Sequence, residues 1–361
     1  MQYNVGMYGG SFDPLHIGHI DMIIKAAAMC KKLYIVLSFS RKRDSVPMEI
    51  RYRWIKNSFK HMDNIEIILL EDNANSKDEY DKGSSCGTRI ANDNVNTNII
   101  DSGIDSYFYW EQGRDYVLET IGSPIDVVFC GSDYKGTNRY EELYKCEVIY
   151  VDRDIVSVSS TKIRSNPFKY WDYIPKICRS YYTKKILIIG GESTGKTTLT
   201  QNLALHYNTN FLEEVGREVC ENAGAEELMV VEDFYEILLR HKTKELEVIK
   251  DSNKLLFIDT DALTTKFYIN FLLDKNKNNG KALADAIANI NTFDLIFFLE
   301  PTVKFVQDGT RSEVIKEDRE KYSIQIKKLF EEHGLDFISV TGDYEERYTS
   351  VINKIKECYN I

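Results

Sequence analysis

Two glycine-rich turns in this chain carry side chains suited to handling phosphate. The first, GGSFDPLHIGHI over residues 9–20, follows the β-prone run Tyr3–Tyr8 and leads into a stretch patterned as a helix from His19. Glycines let backbone N–H groups approach a phosphate closely, and a helix N-terminus favours negative charge. Gly9, Gly10, Ser11 and Phe12 form the turn; His16 and His19, three residues apart, can face one ligand from a helix start. Two imidazole donors there suit the negative charge that develops on a transferring phosphate. An isolated H-x-x-H also fits a metal half-site or a solvated pair. The other four of the chain's six histidines are scattered, so a three-histidine metal centre gains little support.

The second turn, GGESTGKT at 190–197, follows the strand-like KKILIIG and matches G-x-x-x-x-G-K-[ST] in its strand–loop–helix setting. Backbone N–H groups of Gly191, Glu192, Ser193, Thr194, Gly195 and Lys196 would cradle a β-phosphate. The Lys196 amine would reach the β/γ oxygens, Thr197 would hold Mg²⁺ through its hydroxyl, and Thr198 completes the nucleotide-binding set. Three further groups could serve such sites. SVSSTKIR at 157–164 offers Ser159, Ser160 and Thr161 as helix caps and phosphate donors, with Arg164 one turn on as a bidentate clamp. LLFID ends at Asp259, followed by Thr260 and Asp261. A carboxylate there can hold Mg²⁺ or take a proton from a substrate hydroxyl, and a plain helix cap fits Asp259 or Thr260 equally well. VQDGTRSEVIKEDRE, from Val306, reads as a lid whose Arg311 and, less clearly, Arg319 neutralise a transferring phosphoryl group.

The elements that must position these groups alternate. LYIVLS, IEIILL, IDVVFCG and EVIYVD read as strands between the helices from His19, RYRWIKNSF and YFYWEQGRDYVLETIG, and another helix begins near Ser160. After an aromatic segment with two prolines, NPFKYWDYIPKICRSYY, the alternation restarts with KKILIIG and runs through LLFID, DLIFFLE and DFISVTG. Such alternation predicts parallel sheets with crossover helices, here two tandem α/β domains over 1–182 and 183–361. Residues 72–106, rich in Asn and acidic side chains, break the pattern and read as a flexible polar insertion.

Composition narrows the function classes. With 46 Lys and Arg against 56 Asp and Glu, the net charge is −10, which opposes wrapping nucleic acid or an anionic membrane. No apolar run reaches the length of a membrane span, and the first residues do not read as a secretory signal. Seven scattered cysteines without a C-x-x-C pair fit reduced thiols in a cytoplasmic protein and oppose a disulfide framework or a zinc site.

The string Gly9, Phe12, Pro14, His16, Gly18, His19 resembles the H-x-G-H signature of the nucleotidyltransferase superfamily, and SSTKIR resembles its second motif. Followed by the phosphate loop, the whole resembles the NadR-type family of bifunctional nicotinamide-nucleotide adenylyltransferases and ribosylnicotinamide kinases. RYRW at 51–54, EVGRE at 214–218, EDF at 232–234, DTDALTTKFY at 259–268 and DGTR at 308–311 are similar to strings of that family. The resemblance implies a Rossmann-like nucleotidyltransferase domain and then a P-loop kinase domain. ATP would be co-substrate of both, and Mg²⁺ would be bound by Thr197 and Asp259. It implies phosphorylation of nicotinamide riboside to the mononucleotide (NMN), with Asp259 or Asp261 as magnesium organiser or base and Glu214, Arg217 and Asp233 gripping ribose or nicotinamide. Adenylylation of NMN to NAD would follow, with His16 and His19 as electrostatic donors, His19 nearer the α-phosphate, and Arg164 on the departing pyrophosphate.

Two departures stand out. Only fifteen residues precede His16, so the helix-turn-helix repressor segment of some members is not expected. The polar insertion is also longer than the family pattern. The rivals are a phosphopantetheine adenylyltransferase fused to a dephospho-coenzyme A kinase, and a nucleotide sensor without turnover; the DTD and DGTR strings oppose the first, intact Lys196, Thr197, His16 and His19 the second. The partners expected are small molecules, and both a monomer and a homo-oligomer stay open.

Overall fold

The computed structural model describes residues 2–41, 43–72, 106–131, 135–136, 139–151, 158–273, 279–307 and 311–361. It resolves into two compact units, Met1–Cys178 and Arg179–Ile361. This division falls slightly before the expected junction at 182–183.

The first unit holds a five-stranded parallel sheet. Its strands are β1 (Tyr3–Gly10), β2 (Cys30–Phe39), β3 (Ile65–Glu71), β4 (Val127–Gly131) and β5 (Glu147–Val151), in the order β3-β2-β1-β4-β5. Helices α1 (Ile17–Met29), α2 (Met48–Ser58), α3 (Ser106–Ile121), α4 (Arg139–Tyr144) and α5 (Ser160–Ser165) accompany it, and α6 (Lys176–Tyr182) spans the point of division. Strand β4, VVFCG, is buried throughout, as a strand covered on both faces must be. Strand order reverses between β1 and β4, and a crevice at the carboxyl ends of such strands is where ligands bind. Strand β1 runs on through Gly9 and Gly10, so the glycine pair closes the strand itself.

The insertion's first residue departs from expectation. Asp72 is buried, accepting from the Ser38 hydroxyl at 2.7 Å and from Arg43 Nη1 at 2.9 Å. Residues 73–105 lie outside the described residues.

The second unit repeats the plan with β6 (Lys184–Gly190), β7 (Phe211–Leu212), β8 (Leu255–Asp259), β9 (Leu295–Leu299) and β10 (Ile338–Val340), parallel, in the order β10-β9-β6-β8-β7. Its helices are α7 (Lys196–His206), α8 (Val215–Ala223), α9 (Val231–Val248), α10 (Ala262–Leu272), α11 (Asn279–Ile290), α12 (Glu313–Glu317), α13 (Arg319–Glu332) and α14 (Tyr344–Tyr359). The apolar runs ILII and LLFI of β6 and β8 are buried, and their alternate residues Leu187, Ile189, Leu256 and Ile258 join Phe234, Phe267, Phe298 and Phe330 in one core. Among the described residues no helix is long and apolar enough to cross a membrane.

One buried cation braces this unit. Arg347, 1% exposed, donates to the carbonyls of Glu300 at 2.6 Å and Gly342 at 3.0 Å, to Thr302 Oγ1 at 2.6 Å, and to the Thr194 carbonyl of the phosphate loop. Arg347→Met keeps the stem but strands those acceptors. It should lower the stability of this unit by about 3 kcal/mol, since buried acceptors that lose a charged donor cost far more than a surface bond. A fall in the urea midpoint at unchanged slope checks it.

Candidate active sites

In the first unit the turn after β1 hands the chain directly to α1. His16 is the cap of that helix, with extended backbone, and its N–H donates to His19 Nδ1 at 3.4 Å. The two rings stack with centroids 3.6 Å apart. Because His19 Nδ1 accepts, a neutral His19 carries its proton on Nε2, the nitrogen that would donate to a ligand. Phe12 has a φ of +48°, is buried, and packs edge-on against His19 at 5.0 Å and Tyr8 at 5.6 Å. It therefore corrects one expectation: Phe12 supports the imidazoles from beneath and does not line the cavity.

That cavity, of about 460 Å³, is lined by Gly9, Gly10, Ser11, His16 and His19 together with Ser159, Ser160, Thr161 and Arg164. The fold thus brings the two distant motifs to one place. Ser159 caps α5 by accepting from the Lys162 N–H at 3.3 Å, and Ser160 Oγ donates to the Pro14 carbonyl at 3.0 Å. Arg164 is held in place, donating to the Asp13 carbonyl and to Thr161 Oγ1 at 3.2 Å, with its guanidinium 3.6 Å from the Asp13 carboxylate.

The sequence reading missed a buried ionic lattice whose Arg43 and Asp44 line this cavity. Arg43 donates to Asp44 at 2.8 Å, and Arg51, 1% exposed, donates to Asp44 at 2.7 Å and to the Ser11 carbonyl at 2.5 Å. Trp110 adds an aromatic wall, with the Arg139 guanidinium 5.1 Å from its ring centre. The signal available was RYRW, whose first arginine falls at a buried position of α2.

In the second unit β6 ends at Gly190, whose φ of +151° turns the chain out of the sheet; a Cβ there would meet the Leu299 carbonyl oxygen at 2.6 Å. The loop then closes on itself. Thr194 Oγ1 and Lys196 Nζ donate to the Gly191 carbonyl at 2.8 and 3.0 Å, and Gly195, at φ +86°, starts α7. Thr197 Oγ1 donates to Asp259 Oδ2 at 2.5 Å. Asp259 is fully buried, its Oδ1 has no hydrogen-bond partner among the described residues, and burial, with Glu214 nearby, pushes its carboxyl up to about 7. Paired hard oxygens with one lone carboxylate oxygen fit a Mg²⁺ that shares its shell with phosphates and water.

The two aspartates beyond β8 part company at Thr260. This β-branched residue has φ +63°, a strained conformation, and its N–H donates to the Ile188 carbonyl at 3.1 Å. The turn leaves Asp259 at the Thr197 hydroxyl and makes Asp261 the cap of α10, accepting from Thr264 N–H at 3.2 Å. Asp261 is thereby engaged at a helix start, while Asp259 meets the loop hydroxyl, although neither carboxylate is among the residues lining the cavity next to the loop.

A cavity of about 400 Å³ adjoins the loop, lined by Glu192, Ser193, Thr194, Gly195, Lys196, Thr197 and Thr198, and by Glu214, Arg217 and Arg311. Asp233 is excluded: its carboxylate accepts from the Val230 N–H at 2.8 Å and caps α9. Arg311 Nη1 donates to Ser193 Oγ at 2.8 Å. Arg319 is a strut instead of a lid cation, donating to the carbonyls of Val303, Glu192 and Ser193 and covering the Phe305 ring. Residues 308–310 of the DGTR string lie outside the described residues. The sequence reading did not single out His241, Tyr268 or Glu226, which also line this cavity.

Two parallel α/β sheets, each with a phosphate-suited turn at the carboxyl edge, define a nucleotide-handling transferase. The chain belongs to the cytidylyltransferase-like family, whose model matches residues 7–217, and a model for an AAA domain matches residues 185–347. It is 29% identical to the trifunctional NAD biosynthesis/regulator protein NadR of Escherichia coli (strain K12), over 98% of this chain and 83% of that protein. The protein of the same name from Salmonella typhimurium is 28% identical over 99% of this chain and 83% of its own. Among solved structures, NadR in complex with NR matches with a TM-score of 0.79 at 23% identity, covering 99% of this chain and 96% of that one. NadR in complex with NAD and AMP-PNP matches at 0.78 and 22%, covering 99% and 97%. At such identities the structural likeness speaks for the fold.

Proposed function

We propose that the chain makes NAD in two steps, each at its own site. In the second unit the 5′-hydroxyl of nicotinamide riboside attacks the γ-phosphate of ATP, giving NMN and ADP. The loop from Gly191 to Thr198 holds the triphosphate, with Lys196 on the β/γ oxygens and Arg311 on the transferring group. Thr197 and Asp259 would hold Mg²⁺, which would supply charge neutralisation to the triphosphate. Glu214 and Arg217 are the lining residues left to grip the acceptor.

In the first unit a phosphate oxygen of NMN attacks the α-phosphate of a second ATP. The new P–O–P bond gives NAD, and pyrophosphate leaves. No general base is needed, because the nucleophile is already anionic. His19, donating through Nε2, and His16 stabilise charge on the α-phosphate, and Ser159, Ser160, Thr161 and Arg164 hold the departing pyrophosphate.

The observation that carries this reading is that a histidine turn and a lysine loop each open on a separate cavity in one chain. Homology to NadR along nearly the whole length supplies the acceptor. Incubation with nicotinamide riboside, ATP and Mg²⁺ should yield ADP, pyrophosphate and NAD. Turnover of dephospho-coenzyme A instead, or nucleotide binding without release of either product, would refute it.

A further inference from the structure

The cavity beside the phosphate loop is lined by three carboxylates, Glu192, Glu214 and Glu226, as well as by the cations Lys196, Arg217 and Arg311 that suit its phosphates. Glu192 lies in the loop, yet its side chain faces the acceptor space. Its carboxylate accepts from the Tyr268 hydroxyl at 3.1 Å and from the Ser312 N–H at 2.9 Å. Glu226 comes from a short turn before α9 and hydrogen-bonds the side chain of the same Ser312. One buried serine therefore joins two carboxylates that are distant in sequence, and both line the cavity. Together with Glu214 they bear on the Tyr268 hydroxyl and raise its pKa well above the ordinary range, after burial itself. Phe234 and Tyr268 give the same cavity an aromatic lining.

Burial works against the ionised form of two of these carboxylates. Burial pushes Glu192 up to about 7 even though the Ser312 amide, the Tyr268 hydroxyl and Lys196 all favour its ionised form. Burial likewise raises Glu226, which has the charge of Glu227 close by. A half-enclosed group of carboxylates against aromatic rings is costly alone and favourable around a cation.

We infer that this cavity selects its nucleoside by positive charge, with Glu226 and Glu192 as the specificity-determining residues and a riboside of a pyridinium cation as the ligand class. The inference rests on the acceptor reading given above. The ring nitrogen of nicotinamide riboside is quaternary and bears a full charge. A neutral ring of the same outline would make the same apolar contacts and leave the carboxylates unneutralised.

The test compares nicotinamide riboside with benzamide riboside, its neutral carbon isostere, as phosphate acceptors from ATP and Mg²⁺. The wild-type protein should favour the cation in kcat/KM by about tenfold or more, the size of effect that one ~1.4 kcal/mol interaction produces. Glu226→Gln, which keeps the side chain's length and its hydrogen bond to Ser312, should shrink that ratio severalfold, and Glu226→Asp should retain most of it. Structural damage would lower both substrates alike and leave the ratio unmoved. Equal use of the two ribosides by the wild-type protein overturns the inference while the kinase reading stands, whatever the variants do. A wild-type preference that Glu226→Gln leaves intact overturns the assignment to Glu226. Phosphorylation of neither riboside removes the acceptor reading, and the inference with it.

Discussion

Lys196→Ala is expected to lower phosphorylation of nicotinamide riboside by about 10³-fold, while NAD formation from supplied NMN stays near the wild-type rate. The size follows from position. Lys196 spans the phosphate loop to the Gly191 carbonyl at 3.0 Å, a placement from which its ammonium can meet the β/γ oxygens inside a largely buried site. Removing one preorganised donor to developing charge costs about 10²–10³ in rate, and here the donor also carries a full charge. The selectivity follows from the division of the chain into two compact units, each with its own sheet and its own cavity. Separate assays of ADP and pyrophosphate release check it, with a thermal melt to show that the protein is folded. Loss of both activities from a folded variant would show that the two sites do not work independently.

His19→Ala should give the opposite pattern: adenylyl transfer reduced by about 10²–10³-fold, riboside phosphorylation close to normal. His19 has its Nδ1 engaged by the His16 N–H and its ring packed on Phe12, so Nε2 is aimed and needs no reorientation during reaction. His19→Gln tests the tautomer argument, because its amide restores a neutral donor near the Nε2 position without a proton to lose. It should recover part of the lost rate, and that partial rescue should hold across the pH range where imidazole titrates. If His19→Ala left adenylyl transfer within a few-fold of wild type, His16 and Arg164 would have to carry the charge stabilisation.

Both phosphate sites were readable because their chemistry constrains adjacent residues. A loop that wraps a phosphate needs its glycines, its lysine and its hydroxyl at fixed spacing, and GGESTGKT and GGSFDPLHIGH show that spacing without any tertiary information. The sheets were readable for a related reason: buried parallel strands such as ILII and LLFI are continuous apolar runs. What stayed hidden depends on distance in sequence or on one backbone angle. Glu226 meets Ser312, and Tyr268 meets Glu192, only once segments far apart in the chain have packed together. No rule of spacing separates Asp259 from Asp261, and the choice is made by the turn at Thr260. Helices α8 and α11 were passed over, the first because its residues were read only as a motif string and the second although Leu283, Ala284, Ile287 and Ala288 recur at helical spacing and pack on the core. Phe12 was misassigned because membership of a motif does not say which way a side chain faces.

The left-handed backbone at Thr260 bears on how this protein could be made to tolerate heat. Glycine or asparagine would relax that angle at once, so a screen scored only on survival at high temperature should find replacements there early. Each would also loosen the hinge that aims Asp259 at Thr197. Ser193 and Phe12, with φ of +56° and +48°, present the same temptation in the two glycine turns. Robustness and turnover are therefore set against each other at the same few residues, and an engineer seeking both would do better to leave these three alone and work on surfaces far from either cavity.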